Sequence, residues 1–178
     1  MTTTTTKTLF AAAVAAFVAA GAGQAATMTG EFSVTAVNVT NLNSPESQAT
    51  RANFDAALAG TLGNGDEDFS NDTCTYTGAL DFETRAGTST TIGSWLATGG
   101  GALVGLDGPF ADLQQSKGSI GNGTATTTFY LFDANFSVPA SDFTVTHDDG
   151  IAVFEDGALL GDRVGPTARK VTEIPGFG

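Results

Sequence analysis

Apolar and polar positions alternate with a period of two along much of this chain, the spacing of strands that bury one face. Thr29–Thr40 (TGEFSVTAVNVT) sets Phe32, Val34 and Ala36 on one side, then changes phase at Val37 and Val39, which predicts a bulge. Ala125–Val138 is the longest strand candidate, with Phe129 and Leu131 on one side and Tyr130 and Phe132 on the other. Thr75–Arg85, Thr88–Leu96 and Ala168–Ile174 read as further strands, Ile92 and Trp95 being the large apolar residues of the second. In Asp142–Asp162, Phe143, Val145 and His147 share one face of a strand, and Thr144 and Thr146 share the other. Asp148-Asp149-Gly150 then supplies a tight acidic turn, with Gly150 free to take φ > 0. Ile151–Phe154 is continuously apolar, as in a strand buried on both faces, and Glu155-Asp156-Gly157 is a second turn.

One segment has helical signals instead. Ser44 can cap, Pro45 suits the first helical position, and Glu46 meets the positive end of the dipole. Phe54 and Leu58 would anchor this helix, Ser44–Ala59, and Gly60 would end it. Gly63–Asn71 reads as an acidic loop, Gly99-Gly100-Gly101 as a break, and Leu103–Gly123 as loop-rich, with Asp107-Gly108-Pro109 a turn. About eight short strands with glycine-rich turns predict an all-β chain, an antiparallel β-sandwich or jelly-roll-like fold with one short helix.

Met1–Ala25 has the order of a secretory leader: Lys7, an apolar run over Leu9–Ala20, and small residues at Gly23 and Ala25 before a cut after Ala25. The run is too short to span a bilayer. Cleavage leaves 153 of the 178 residues as one domain, expected to be secreted or at the cell surface with no membrane span. The net charge is −12, and −13 once Lys7 is lost, which disfavours nucleic acid and anionic membranes and suits divalent cations. Cys74 is the only cysteine, so no intramolecular disulfide forms. With a single histidine as well, a Cys/His zinc cluster is excluded.

Strand, DDG, strand, DG resembles the core signature of the PA14 family, over Ala134–Asp162. The resemblance implies that Asp148 and Asp149 can chelate calcium beside a sugar. Calcium takes about six to eight oxygens at short range, and adjacent aspartates can supply several of them. The plainer reading is a hairpin turn in which the aspartates bond their own backbone. The leader and the Thr/Gly-rich body are similar to bacterial secreted proteins of the PEP-CTERM/VPLPA-CTERM sorted type. The sorting tail of such proteins is lacking here, so a chain shortened at its C-terminus is expected.

Other constellations are weaker. Asp66-Glu67-Asp68 with Asp72 is loosely spaced like a calcium loop, but Asn71 and Thr77 stand where an EF-hand has its glycine and last glutamate. His147 and Asp148 are adjacent on a strand and point to opposite faces, which no catalytic triad uses. Gly93-Ser94-Trp95 is not a nucleophile elbow. Trp95 is the best candidate for a sugar-stacking platform, with a core position as its alternative. The reading is a non-catalytic module that binds glycan or exopolysaccharide weakly. Trp95, His147 and Asp149 are its ligand contacts, and Asp148 and Asp149 its calcium ligands. The alternative is a purely structural surface or matrix protein, and a hydrolase comes third.

Overall fold

A computed structural model describes residues 6–12, 28–42, 46–82, 91–116, 125–135, 141–147, 150–165 and 170–177. Strands dominate: β1 (Thr6–Ala12), β2 (Thr29–Leu42), β3 (Asp68–Ala79), β4 (Ala102–Val104), β5 (Ala125–Asn135), β6 (Ser141–His147), β7 (Ile151–Glu155), β8 (Ala158–Arg163) and β9 (Lys170–Phe177). Among the described residues three short helices interrupt them: α1 (Arg51–Leu58), α2 (Ile92–Ala97) and α3 (Gly108–Ala111). A seven-stranded sheet runs β4-β3-β2-β5-β1-β7-β8, and β6 and β9 form a two-stranded sheet. Every pairing is antiparallel, so the all-β expectation holds. Among the described residues no helix is long and apolar enough to cross a membrane.

The centre of the large sheet is buried on both faces. On one, Phe32, Val34 and Ala36 of β2 join Tyr76, Tyr130 and Phe132, Ile92, Trp95 and Leu96 of α2, Phe110 of α3, and Val145 and Ile174 of the small sheet. On the other, Val37, Val39 and Phe129 pack with Phe54 and Ala57 of α1. The phase change at Val37 and Val39 therefore reflects this two-sided burial and not a bulge. β2 pairs without interruption from Thr29 to Thr40 with β3, and the irregularity lies at Asn41, whose φ is +62°.

Three further expectations are corrected. The first helix begins at Arg51, capped by Thr50, whose hydroxyl accepts from Asn53 N at 3.1 Å. Ala49 N donates to Val164 O at 2.8 Å, which ties the preceding residues to the end of β8 and holds them out of the helix. Phe54 anchors α1 together with Ala57, while Leu58 is 42% exposed, and Gly60 follows with φ +68°. Ser44 and Pro45 lie outside the described residues. Secondly, the strand expected over Thr88–Leu96 is α2 in its described part. Thr91 and Ser94 form a capping box, and Ile92, Trp95 and Leu96 fall at the helical spacing of one buried face. The Asp107-Gly108-Pro109 turn likewise opens α3, with Asp107 accepting from Phe110 N at 3.2 Å.

The third correction concerns Asp142–Asp162. β6 and β7 are not a hairpin. β6 pairs with β9, and β7 pairs with β1 and β8, so the acidic link joins two different sheets. The second turn is as expected: Glu155 pairs with Ala158 across a two-residue loop in which Asp156 and Gly157 have φ +48° and +80°. Positive φ at both positions is the type I′ geometry that suits the twist of a hairpin.

Candidate functional site

The sheet-to-sheet link His147-Asp148-Asp149-Gly150 is the candidate site. Asp148 and Asp149 lie outside the described residues, but both flanks are defined. Val145, Thr146 and His147 are consecutively buried, so β6 ends enclosed on both faces. The imidazole Nε2 of His147 lies 2.8 Å from the Thr172 hydroxyl of β9. His147 is thus a hydrogen-bonded core residue, and burial removes it from direct contact with a surface ligand. On the other flank Gly150 is buried, and Ile151, Ala152 and Val153 follow it into the core.

Gly150 owes its place to close packing. A Cβ there would stand 2.3 Å from Val164 O and 2.8 Å from the Ala49 Cβ. Val164 O is the same atom that accepts from Ala49 N. Glycine at this position lets three backbone segments meet: the start of β7, the end of β8 and the approach to α1.

Two cations stand in register beside the link. Lys170 pairs with His147 across the small sheet, and Arg163 pairs with Ile151 across the large one. Both are exposed.

Trp95 is fully buried on α2, its ring centroid 4.4 Å from that of Tyr130 and 4.7 Å from that of Phe82. With no exposed face it is core and not a stacking platform. Its Nε1 is buried without a hydrogen-bond partner among the described residues. Burial pushes the Tyr130 phenol well above its ordinary range, against a smaller opposing pull from Thr128.

The second acidic group is spent on local structure. Glu67 accepts from Asn64 N and Gly65 N, and these backbone donors, Asn64 foremost, hold its carboxyl below the usual range. Thr40 donates to Asp68 at 3.4 Å. Asp72 accepts from its neighbour Thr73 N at 2.8 Å and from Asp107 N at 2.7 Å, tying β3 to the start of α3. Among the described residues no three His, Cys, Asp or Glu side chains gather as a metal site would require.

A buried polar chain has no sequence signal. Asn38 of β2 donates to Thr128 Oγ1 at 2.8 Å and to Gln114 O at 2.9 Å, and Thr128 donates to Gln115 O at 2.7 Å. It fastens the segment after α3 to the centre of the large sheet. Cys74 is also buried, and desolvation with the nearby Asp72 charge pushes its thiol up to about 11. At neutral pH such a thiol is a poor nucleophile.

No family model, curated protein or solved structure matches the chain.

Proposed function

We propose that the chain is a secreted or cell-surface, non-catalytic module that binds glycan or exopolysaccharide weakly, with calcium held at Asp148-Asp149. The observation that supports this reading is the anchoring of the pair. His147 is buried at the end of β6 and Gly150 is buried just before β7, a strand of the other sheet, so the two acidic residues lie between two packed flanks. Packed flanks lower the ordering cost that binding a cation would carry. The PA14-like pattern supplies the chemistry, calcium beside a sugar, and the leader-like Met1–Ala25 supplies the route out of the cell. Retention of the chain lacking residues 1–25 on immobilised polysaccharide, in calcium and then in EDTA, tests this. Retention is expected only with calcium and only with both aspartates intact. Retention indifferent to calcium and to Asp148→Asn/Asp149→Asn overturns the calcium-assisted reading.

The structural alternative is favoured by Lys170 and Arg163, which stand in register beside the link. Carboxylates paired with these cations would close the corner between the sheets without a ligand. In that case Asp148→Asn/Asp149→Asn lowers the melting temperature even in EDTA.

A further inference from the structure

β1 occupies an interior position of the large sheet. It pairs with β5 from Thr6↔Asn135 to Ala12↔Phe129, and with β7 from Lys7↔Glu155 to Ala11↔Ile151. Yet Thr6–Ala12 falls within the segment that reads as a leader. If that segment is cut off, the sheet loses an interior strand and two rows of backbone donors and acceptors lose their partners.

The two sides of the gap are held by contacts that do not involve β1. β5 is paired along Ser33–Leu42 of β2. β7 is paired with β8, and its start is wedged at Gly150 between Val164 O and Ala49. β5 and β7 are each antiparallel to β1, and therefore parallel to each other. Closing the gap would demand a parallel pairing and a sideways shift of β7 by about 4.8 Å, one strand spacing. With β8 moving along, that shift would draw Gly150 and Val164 away from Ala49, whose N donates to Val164 O. It would also displace Ile151 and Val153 from the core that they share with Val145 and Ile174 of the small sheet.

We infer that the position between β5 and β7 is a strand acceptor. The N-terminal segment fills it in the uncut chain. After cleavage it takes an extended segment of about seven residues from a partner protein, antiparallel to both sides. The chemistry of the occupant follows from those sides. They are apolar on both faces, with Tyr130, Phe132, Ile151 and Val153 in one core and Phe129 and Ala152 in the other. At one end stand Asp133 and Glu155, opposite Thr8 and Lys7 in the register. The occupant is therefore apolar on both faces, with a basic residue near its start, as TKTLFAA itself is.

This inference rests on the leader reading, and two measurements keep them apart. The intact mass of the exported chain reports whether residues 1–25 are removed; an uncut chain sinks the leader reading, and with it any vacancy to fill. Hydrogen exchange reports on the acceptor itself. In the chain lacking residues 1–25, the alternate amides of Phe129–Asn135 and Ile151–Glu155 that face β1 should exchange faster than in the full chain, while those that face β2 and β8, and the β2–β3 amides, stay protected. A synthetic TKTLFAA peptide should restore protection at one-to-one stoichiometry, and the same peptide with Leu9→Asp and Phe10→Asp should not. If those amides are protected without peptide, or stay exposed with it, the acceptor does not exist. Should the shortened chain not fold, the full chain is folded first and then cut at a protease site inserted between residues 13 and 27. A labelled peptide should then displace the cut strand, and failure to do so at any excess overturns the inference.

Discussion

Gly150→Ala should destabilise the protein by sterics at the corner between the sheets. The new Cβ would lie 2.3 Å from Val164 O, a backbone atom that cannot rotate away, and 2.8 Å from the Ala49 Cβ. Relief requires β7 and the end of β8 to part by more than half an ångström. Overpacking of this kind costs roughly 1–3 kcal/mol. Val164 O also holds Ala49 N at 2.8 Å, so moving it weakens a hydrogen bond worth about 1 kcal/mol more. Gly157 is the internal control. It has φ +80°, and a Cβ added there would meet no atom within 4 Å, so Gly157→Ala meets only the left-handed penalty of about 1–2 kcal/mol. Asparagine separates the two causes, because it tolerates left-handed backbone but is larger than alanine. Gly157→Asn should recover most of the loss, whereas Gly150→Asn should be worse than Gly150→Ala. Guanidinium unfolding followed by the fluorescence of Trp95, the single tryptophan and a fully buried one, reads all four variants. A Gly150→Ala midpoint equal to that of the parent, or recovery in Gly150→Asn, would refute the close-packing argument.

Thr91→Ala removes the capping hydroxyl of α2 and should cost about 1 kcal/mol in the same unfolding assay, with Thr91→Ser recovering most of it. Asp156→Val should cost about 1–2 kcal/mol, because a β-branched residue resists the φ of +48°, while Asp156→Asn and Asp156→Gly should be close to neutral. Cys74 ionises near its ordinary 9.0 in the unfolded chain but at about 11 when folded, through burial and then the Asp72 charge. Its contribution is therefore complete below pH 9 and is lost as pH rises from 9 through 11, a decline on the order of 2–3 kcal/mol that Cys74→Ala should flatten. In the native state the thiol should also resist alkylation at pH 8 and react once guanidinium unfolds the chain.

What is legible in this sequence is mostly local. The turn after β7 can be read directly, because Asp156-Gly157 carries its chemistry within the turn itself, whereas β8, with the mixed pattern ALLGDR, carries no strand signal of its own. The alternation in β5 is likewise plain, since Phe129 and Tyr130 serve opposite cores. β6 and β7 look like a hairpin from their order, yet the partner of β6 is β9, and no turn residue encodes a pairing that distant. In Thr88–Leu96 the strand propensity of threonine competes with three helical signals: Thr91, Ser94 and the Ile92/Trp95/Leu96 spacing. Packing against Tyr130 and Phe82 decides for the helix. The candidate site is legible as a motif, but its surroundings are not. His147 and Trp95 look available on a strand and turn out to be buried, because what covers them comes from β9 and from the aromatic cluster of the large sheet.

The most direct test of the proposed calcium-assisted module is thermal unfolding of the chain lacking residues 1–25, first in EDTA and then in millimolar calcium, repeated with Asp148→Asn/Asp149→Asn. A cation that binds only the folded state at a hundredfold above its Kd stabilises by about 2.7 kcal/mol, a rise of roughly 5–10 °C for a domain of this size. Such a rise is expected in the parent and none in the variant. An unchanged melting temperature in the parent contradicts the calcium site, and leaves Asp148-Asp149 as the structural corner between two sheets.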